Sequence, residues 1–480
     1  MIRSAIAVTC ALAVCTKAAR IPSAQDGAST VVGSPQAVEA ETRLVAERRL
    51  AARVDSKRAA KTVRELVSLG ARMGGTPSGL KSVEKLETEF RALGLTVERQ
   101  SAPKIWVHAE KSWEVRVQIE DRDPFVLTRA WPRGFSPASK GRAQLSRNLG
   151  AETALLASDF LERRGEVRPR VVLDDGSTTI DGAWPLCRPH QRRHRAETTI
   201  FGIAKPDAEK LRSALGDEET VMIDWHLKTD VSKQHPISVI ASLSPREGAP
   251  PGHIVVCAHG DSDSGGPGAN DNASGVAIVL EIARAWTAAI ETGELEKPPI
   301  EIRFVIWGTE IVSTRTYLKS ELGKDTTLVL NFDQAGFGST GQRIHVEPDD
   351  LPANREFVTI AASVLDDHAG APGFPEHWAT NRSLGGTDSY VFSGAKRFRE
   401  DGLAAVTMFT SAWGQPDEQP RTPDMPGESW RERPLVEVDY DVHYHSAGDT
   451  PENTTDREPE NMGWCARVGL LSVLRALSGL

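Results

Sequence analysis

Five apolar runs bounded by turn residues dominate the second half of the chain: ISVIASL (237–243), HIVVCAHG (253–260), EIRFVIWG (301–308), TTLVLNFD (326–333) and LAAVTMFT (403–410). Runs of this length and continuity predict strands buried on both faces. Helical stretches lie between them, ASGVAIVLEIARAW (273–286) and NREFVTIAASVLDD (354–367), and NMGWCARVGLLSVLRAL (461–477) closes the chain. Buried strands alternating with helices predict an α/β fold: a three-layer, mixed, mostly parallel sheet with helices on both faces.

The first half reads differently. Residues 37–69 are charged and Ala-rich, and Val63, Leu66 and Val67 make one apolar helical face. GARMGGTPSG (70–79) is a turn cluster, and Val83, Leu86, Phe90 and Leu93 mark a second amphipathic helix that Gly94 ends before the strand LTVERQ. Residues 105–235 carry only short strand-like runs, such as VRPRVVLDDG, and one helix, KPDAEKLRSAL. This stretch is expected to be a smaller, inserted, β-rich domain. Residues 37–104 and 236–480 then form the two parts of one main domain. Residues 414–436, rich in Pro, Asp, Glu and Arg, read as a long surface loop.

The N-terminus adds an address. Arg3 precedes the short apolar run AIAVTCALAVC (5–15), and small and polar residues follow. That order predicts a secretory signal peptide over residues 1–24, a flexible leader over 25–36, and export to the periplasm or beyond. LAVC (12–15) resembles a lipoprotein cleavage box, although Val14 fits poorly before Cys15. Lipid anchoring at Cys15 is therefore the minor alternative. The 480 residues hold 57 Lys and Arg against 66 Asp and Glu, a net charge of −9, which argues against nucleic-acid binding. There is no run of eighteen apolar residues, so no transmembrane segment is expected. Beyond the signal only Cys187, Cys257 and Cys465 remain, an odd number that leaves at least one thiol outside any disulfide. A Cys187–Cys465 pairing stays open.

The strand ends carry the chemistry. HIVVCA runs into His259-Gly260-Asp261, and Asp271 follows ten residues later, inside GANDNASG and just before a helix. EIRFVIWG leads to Glu310, TTLVLNF to Asp333, and YHSAGDTPENT brings His445 and Asp449. Imidazoles with carboxylates suit zinc, and a carboxylate able to bridge two ions suits a two-metal hydrolytic site. Singly, each residue has an ordinary reading: Asp271 or Asp333 as a helix cap, Glu310 as a solvated loop acid, His253 and His443 as structural histidines. The conjunction of H-x-D after a strand with GANDNASG opening a helix is what sets this pattern apart.

That pattern resembles the family of zinc-dependent exopeptidases that includes bacterial leucyl aminopeptidases, carboxypeptidase Q and the glutaminyl cyclases. TVRELVSLGARMGGTPSG looks like the family's N-terminal helical segment, and GTDSYVF (386–392) like the loop before its last ligand. TTIFGIAKPDAEKLRSAL resembles part of a protease-associated domain. The resemblance implies that His259, Asp271 and Asp333 bind the first zinc and that Asp271 bridges to a second, held by His445. It implies that Asp261 orients His259, that Glu310 is the general base toward a metal-activated water, and that Tyr444 stabilises the oxyanion. The implied activity is exopeptidase hydrolysis of peptide substrates, most simply as an aminopeptidase. The sequence departs from the family at one point. Where relatives have two successive glutamates, this chain reads WGTEIVST, so Ile311 stands in the place of a second-zinc ligand and the following loop is short. The second zinc then has other donors, or is absent and leaves one zinc, or Glu310 itself becomes the ligand. Two further readings follow: a non-catalytic binding protein on the same scaffold, or a mononuclear-zinc acyltransferase resembling glutaminyl cyclase.

Overall fold

The structure, a computed structural model, describes residues 35–262, 265–338, 343–380, 387–394, 402–412 and 439–479. The expected signal peptide, most of the leader and the 414–436 loop lie outside the described residues. The chain divides into two units, Met1–Val45 and Ala46–Leu480. The first holds the start of the helix Pro35–Ala51, and everything below concerns the second.

An eight-stranded sheet carries the five expected strands. Its spatial order is Thr96–Ser101, Ile237–Leu243, Glu301–Trp307, His253–His259, Thr326–Phe332, Ala404–Phe409, Arg343–Glu347 and His377–Thr380. The central four strands run parallel. Ile237–Leu243 and Arg343–Glu347 join them antiparallel, which makes the sheet mixed as expected. Side chains alternate across the strands. Ile254, Val256, Phe304, Leu330 and Met408 face one core with the helices Gly275–Glu291, Arg355–His368 and Glu460–Ser478. Val255, Cys257, Val305 and Val329 face the other, under Tyr317 and Phe392 of the short helices Val312–Leu318 and Asp388–Gly394. Both faces are covered, which is why these strands read as unbroken apolar runs.

A second eight-stranded sheet is built from strands between Ile105 and Gln234 and has its own core around Val117, Leu173, Phe201 and Ile223. Its spine is a pair of long antiparallel strands, Ile105–Ile119 and Val221–Gln234. The chain leaves and returns at one point, where the Ala102 N–H donates to the Pro236 carbonyl at 2.9 Å.

Among the described residues one helical stretch, Ala269–Glu291, is long and apolar enough to cross a membrane, but 83% of its most apolar window is buried inside the protein. No disulfide joins Cys187, Cys257 and Cys465, all of them buried, so the Cys187–Cys465 pairing is not made.

A buried ion cluster ties three helices together. Glu47 accepts from Arg475 at 2.8 and 2.7 Å and pairs with His368 at 2.9 Å. Burial alone would raise the Glu47 pKa, but Arg475 and His368 hold it down at about 2. A depressed carboxylate stabilises the fold above its unfolded pKa and loses that contribution as pH falls through its folded one. Wild-type protein should therefore lose about 3 kcal/mol between pH ~4.5 and ~2 that Glu47→Gln does not lose. At pH 7 the variant should be about 3 kcal/mol less stable, because the Arg475 guanidinium loses its buried carboxylate and keeps only Asp367, at 2.8 Å. Urea unfolding at pH 7, 4.5 and 2 checks both.

Candidate metal centre

Parallel strands end on the same edge, and here that edge gathers the acids and imidazoles. His259 is the last residue of its strand and lies opposite Trp307, three residues before Glu310. Asp333 follows Phe332 directly. Between His259 and the strand leading to Glu310, the chain passes through Ala269–Ser274, a single irregular turn that leads into the helix Gly275–Glu291. Gly268, at φ +63°, allows that entry: a Cβ there would meet Ser262 and the Asp271 carbonyl at 2.4 and 2.5 Å.

Asn272, rather than Asp271, caps the helix. Its Oδ1 accepts the Gly275 N–H at 3.0 Å, and its amide donates to the Phe332 carbonyl at 2.9 Å. The Asp271 carboxylate is thereby left for other work. Its Oδ1 lies 3.2 Å from His259 Nε2 and its Oδ2 lies 3.0 Å from His445 Nε2. Asp333 Oδ1 lies 3.6 Å from the same His259 nitrogen. His259 Nδ1 has only acceptors beside it, the Asp261 carbonyl at 3.1 Å and Oδ1 at 3.2 Å, so it carries the proton. Nε2 then faces two carboxylate oxygens, where it can hold a second proton or give its lone pair to an ion.

The arrangement fits a metal ion. Donors held at ~2.0–2.1 Å from a tetrahedral zinc are about 3.3 Å apart, close to these separations. Asp333 Oδ1 is buried with no hydrogen-bond partner. Donor atoms of His259, Glu310 and Asp333 all lie within 4.8 Å of one another. Charge points the same way. Burial would lower the His259 pKa, yet Asp261, Asp271 and Asp333 raise it well above the usual imidazole value. Burial and neighbouring acids push Glu310 and Asp449 well up, and Asp388 and Asp441 up to about 6. Such a cluster of buried carboxylates is stabilised by a cation in its midst.

Supporting residues hold the cluster from outside. Asp261 accepts the Thr309 hydroxyl at 2.8 Å and the Glu310 N–H at 3.1 Å, so one acid orients both His259 and Glu310. Asp449 grips the re-entry turn through the N–H groups of Asn270 and Asp271, at 2.7 and 3.0 Å. Asn270 reaches Asp441 at 2.7 Å and accepts the Gly336 N–H at 2.8 Å. Arg72, fully buried, donates to the carbonyls of Pro267 and Gly268 at 2.9 and 2.7 Å and so clamps the metal loop. The ring of Tyr444 stacks on His445 at 3.7 Å.

Ile311 marks the altered corner. It has φ +61° and ψ −48°, and the Val312 N–H donates back to the Glu310 carbonyl at 2.5 Å. This is a classic-handed γ-turn, a rare and costly conformation for a β-branched residue. It closes the shortened loop in one step. Asp388 holds it by accepting the Ile311 N–H at 2.8 Å and the Thr314 hydroxyl. Ile311 brings no donor atom of its own to a second ion.

The structure thus brings His259, Asp261, Asp271, Glu310, Asp333 and His445 together, with Tyr444 beside His445. It keeps His253 away, in a buried set with Tyr317 and Thr326. His443 packs edge-on to Phe337, outside the donor cluster. Arg72, Asn270, Asp388 and Asp441 are additions that sequence reasoning did not single out. Asp388 had a signal, the motif GTDSYVF, and Arg72 lay in a turn cluster that read as mere punctuation.

Fold and site together define a hydrolase of the metallo-exopeptidase class. Residues 238–468 match the family model "Peptidase family M28". The chain is 26% identical over 405 residues to a "probable leucine aminopeptidase 2" of Aspergillus oryzae, covering 78% of this chain and 74% of that protein. Among solved structures it resembles "Peptidase M28 precursor" from Shewanella amazonensis at 16% identity and TM-score 0.57, covering 90% of this chain and 96% of that one. It also resembles the zinc aminopeptidase from Bacillus subtilis at 19% identity and TM-score 0.55, covering 88% and 95%.

Proposed function

We propose that the protein is an exported zinc aminopeptidase. One observation carries the metal reading: the two oxygens of Asp271 face two different imidazoles, His259 at 3.2 Å and His445 at 3.0 Å. A carboxylate placed so could bridge two ions. His259, Asp271 and Asp333 would hold the first, and Asp271 and His445 would contribute to the second. When bound, zinc supplies Lewis-acid polarisation of the scissile carbonyl and makes water a usable nucleophile near neutral pH. The chain's own residues do the rest. Glu310 takes the proton from the attacking water and returns it to the leaving amine. Asp261 fixes the His259 tautomer and the Glu310 backbone. Tyr444 offers a hydroxyl to the developing oxyanion. Residues 105–235 form an inserted domain of protease-associated type, and the sequence of residues 1–24 supports export.

The test is zinc per chain by elemental analysis, together with hydrolysis of a panel of aminoacyl amides. Turnover lost to a chelator and regained with zinc is the expected result. Zinc at about two per chain supports the bridged site. One zinc would make the site mononuclear, and no turnover on any substrate would leave only a binding protein on this scaffold.

Asp388 should matter without touching substrate. Asp388→Ala frees the Ile311 turn and is expected to lower kcat by about 10–100-fold, as loss of an outer partner of a metal site does. Unchanged kcat would remove it from that role.

A further inference from the structure

We infer that the segment 177–187 of the second sheet's domain positions His445 through backbone hydrogen bonds, so that this domain is part of the catalytic site. The inference rests on the proposed metal role of His445. His445 has φ +51°, a conformation that non-glycine residues adopt at a cost and keep only when their surroundings over-determine it. The surroundings come from across the molecule. The Cys187 N–H donates to the His445 carbonyl at 2.6 Å, and the Ala447 N–H donates to the Pro185 carbonyl at 3.0 Å. Leu186 and Ser446 form an antiparallel bridge between these two bonds. Trp184 packs so tightly on the same turn that a Cβ on Gly448 would lie 2.6 Å from its ring.

The segment itself is stiff. Thr179 and Trp184 exchange hydrogen bonds, the Thr179 N–H to the Trp184 carbonyl at 2.8 Å and the Trp184 N–H to the Thr179 hydroxyl at 3.1 Å. Asp181 accepts the Thr179 hydroxyl at 2.6 Å and the Ala183 N–H at 3.0 Å. The Leu186 N–H donates to the Ser177 carbonyl at 2.9 Å, and the Arg129 guanidinium lies 4.9 Å over the Trp184 ring. A rigid hairpin therefore lays its edge along the turn that aims His445. The His445 turn thus takes backbone hydrogen bonds from the second sheet's domain, while Asp441 and Asp449 beside it hold the Asp271 loop.

The test compares Cys187→Pro, which removes the N–H, with Cys187→Ala, which keeps it. Trp184→Ala is a second route, in case the proline variant does not fold. Two quantities are read: amide hydrogen exchange over residues 443–448 in metal-free protein, and the affinity of each zinc by competition with a chelator. Cys187→Pro should speed exchange there and weaken the second zinc by about tenfold or more, with the first zinc and the circular dichroism unchanged. Trp184→Ala should shift both in the same direction, and Cys187→Ala should shift neither. Unchanged exchange in both Cys187→Pro and Trp184→Ala overturns the inference, as does an equal loss in Cys187→Ala. If exchange responds while wild-type protein takes only one zinc, the two-metal reading fails and the positioning role stands.

Discussion

Glu310→Gln should reduce turnover by about 10²–10⁴-fold while leaving zinc content close to wild type. The substitution keeps the size and hydrogen-bonding reach of the side chain and removes only its ability to accept and return a proton. Three features prepare Glu310 for that task. Its backbone N–H is fixed by Asp261 at 3.1 Å, the same acid that orients His259. It is half-buried, with burial pushing its pKa up and His259 pulling it down. Its carboxylate stands within 4.8 Å of donor atoms on His259 and Asp333, near enough to reach a water shared with an ion there. The same closeness permits the rival reading, in which Glu310 serves as a ligand in place of the missing second glutamate. Zinc analysis of the variant separates the two. Loss of activity with zinc retained assigns the base. Loss of zinc together with activity makes Glu310 a ligand, and retained activity excludes both roles.

Local pattern made the main sheet legible because its strands are buried on two faces, and the helices between them either on one face or, in Gly275–Glu291, nearly all round. The five apolar runs became five neighbouring or near-neighbouring strands. The last two strands at one end of the sheet, Arg343–Glu347 and the edge strand His377–Thr380, were not legible. They are short, and RIHVE and HWAT mix polar and apolar residues in a way that a loop also does. The second sheet was expected to hold short strands, yet its spine is a pair of 15 and 14 residues. In WEVRVQI and VMIDWHLK charged residues alternate with apolar ones, because one face of that pair meets solvent. Such alternation is a strand signal, but over long stretches the charge hid its continuity.

The candidate site was legible to the extent that its residues close strands. Asp271 and His445 stand in turns marked by their motifs, while His259, Glu310 and Asp333 stand at or just past the ends of parallel strands, where topology makes them converge. Their supports do not. Arg72 lies 188 residues from Gly260, whose loop it clamps, and Asp388 lies 77 residues from the Ile311 N–H it accepts. No local pattern encodes either contact, because both serve the backbone of a distant turn. Ile311 shows the limit from the other side. The sequence announced a missing donor, but only the three-dimensional turn shows how the shortened loop still presents Glu310: a one-residue reversal held by a buried carboxylate.

Asp271→Asn should be the most damaging substitution for metal binding. Among the described residues Asp271 is the one acid whose two oxygens face both imidazoles, so its loss should touch both ions at once. Its backbone would stay in place, since Asp449 holds its N–H and Asn272 caps the following helix. Asparagine fits that space but brings no negative charge and only one acceptor oxygen. Both zinc affinities should therefore fall by more than the ~10–100-fold typical of an outer partner. Asp261→Asn supplies that comparison. It disturbs the hydrogen bond behind His259 and those to the Thr309 hydroxyl and the Glu310 N–H but touches neither His445 nor Asp271, so it should weaken the first zinc within that range and spare the second. The pattern across the two variants carries the argument. Asp271→Asn protein that kept either zinc at wild-type affinity would show that the ions do not share a bridge, and the site would then have to be read as separate, unequal centres.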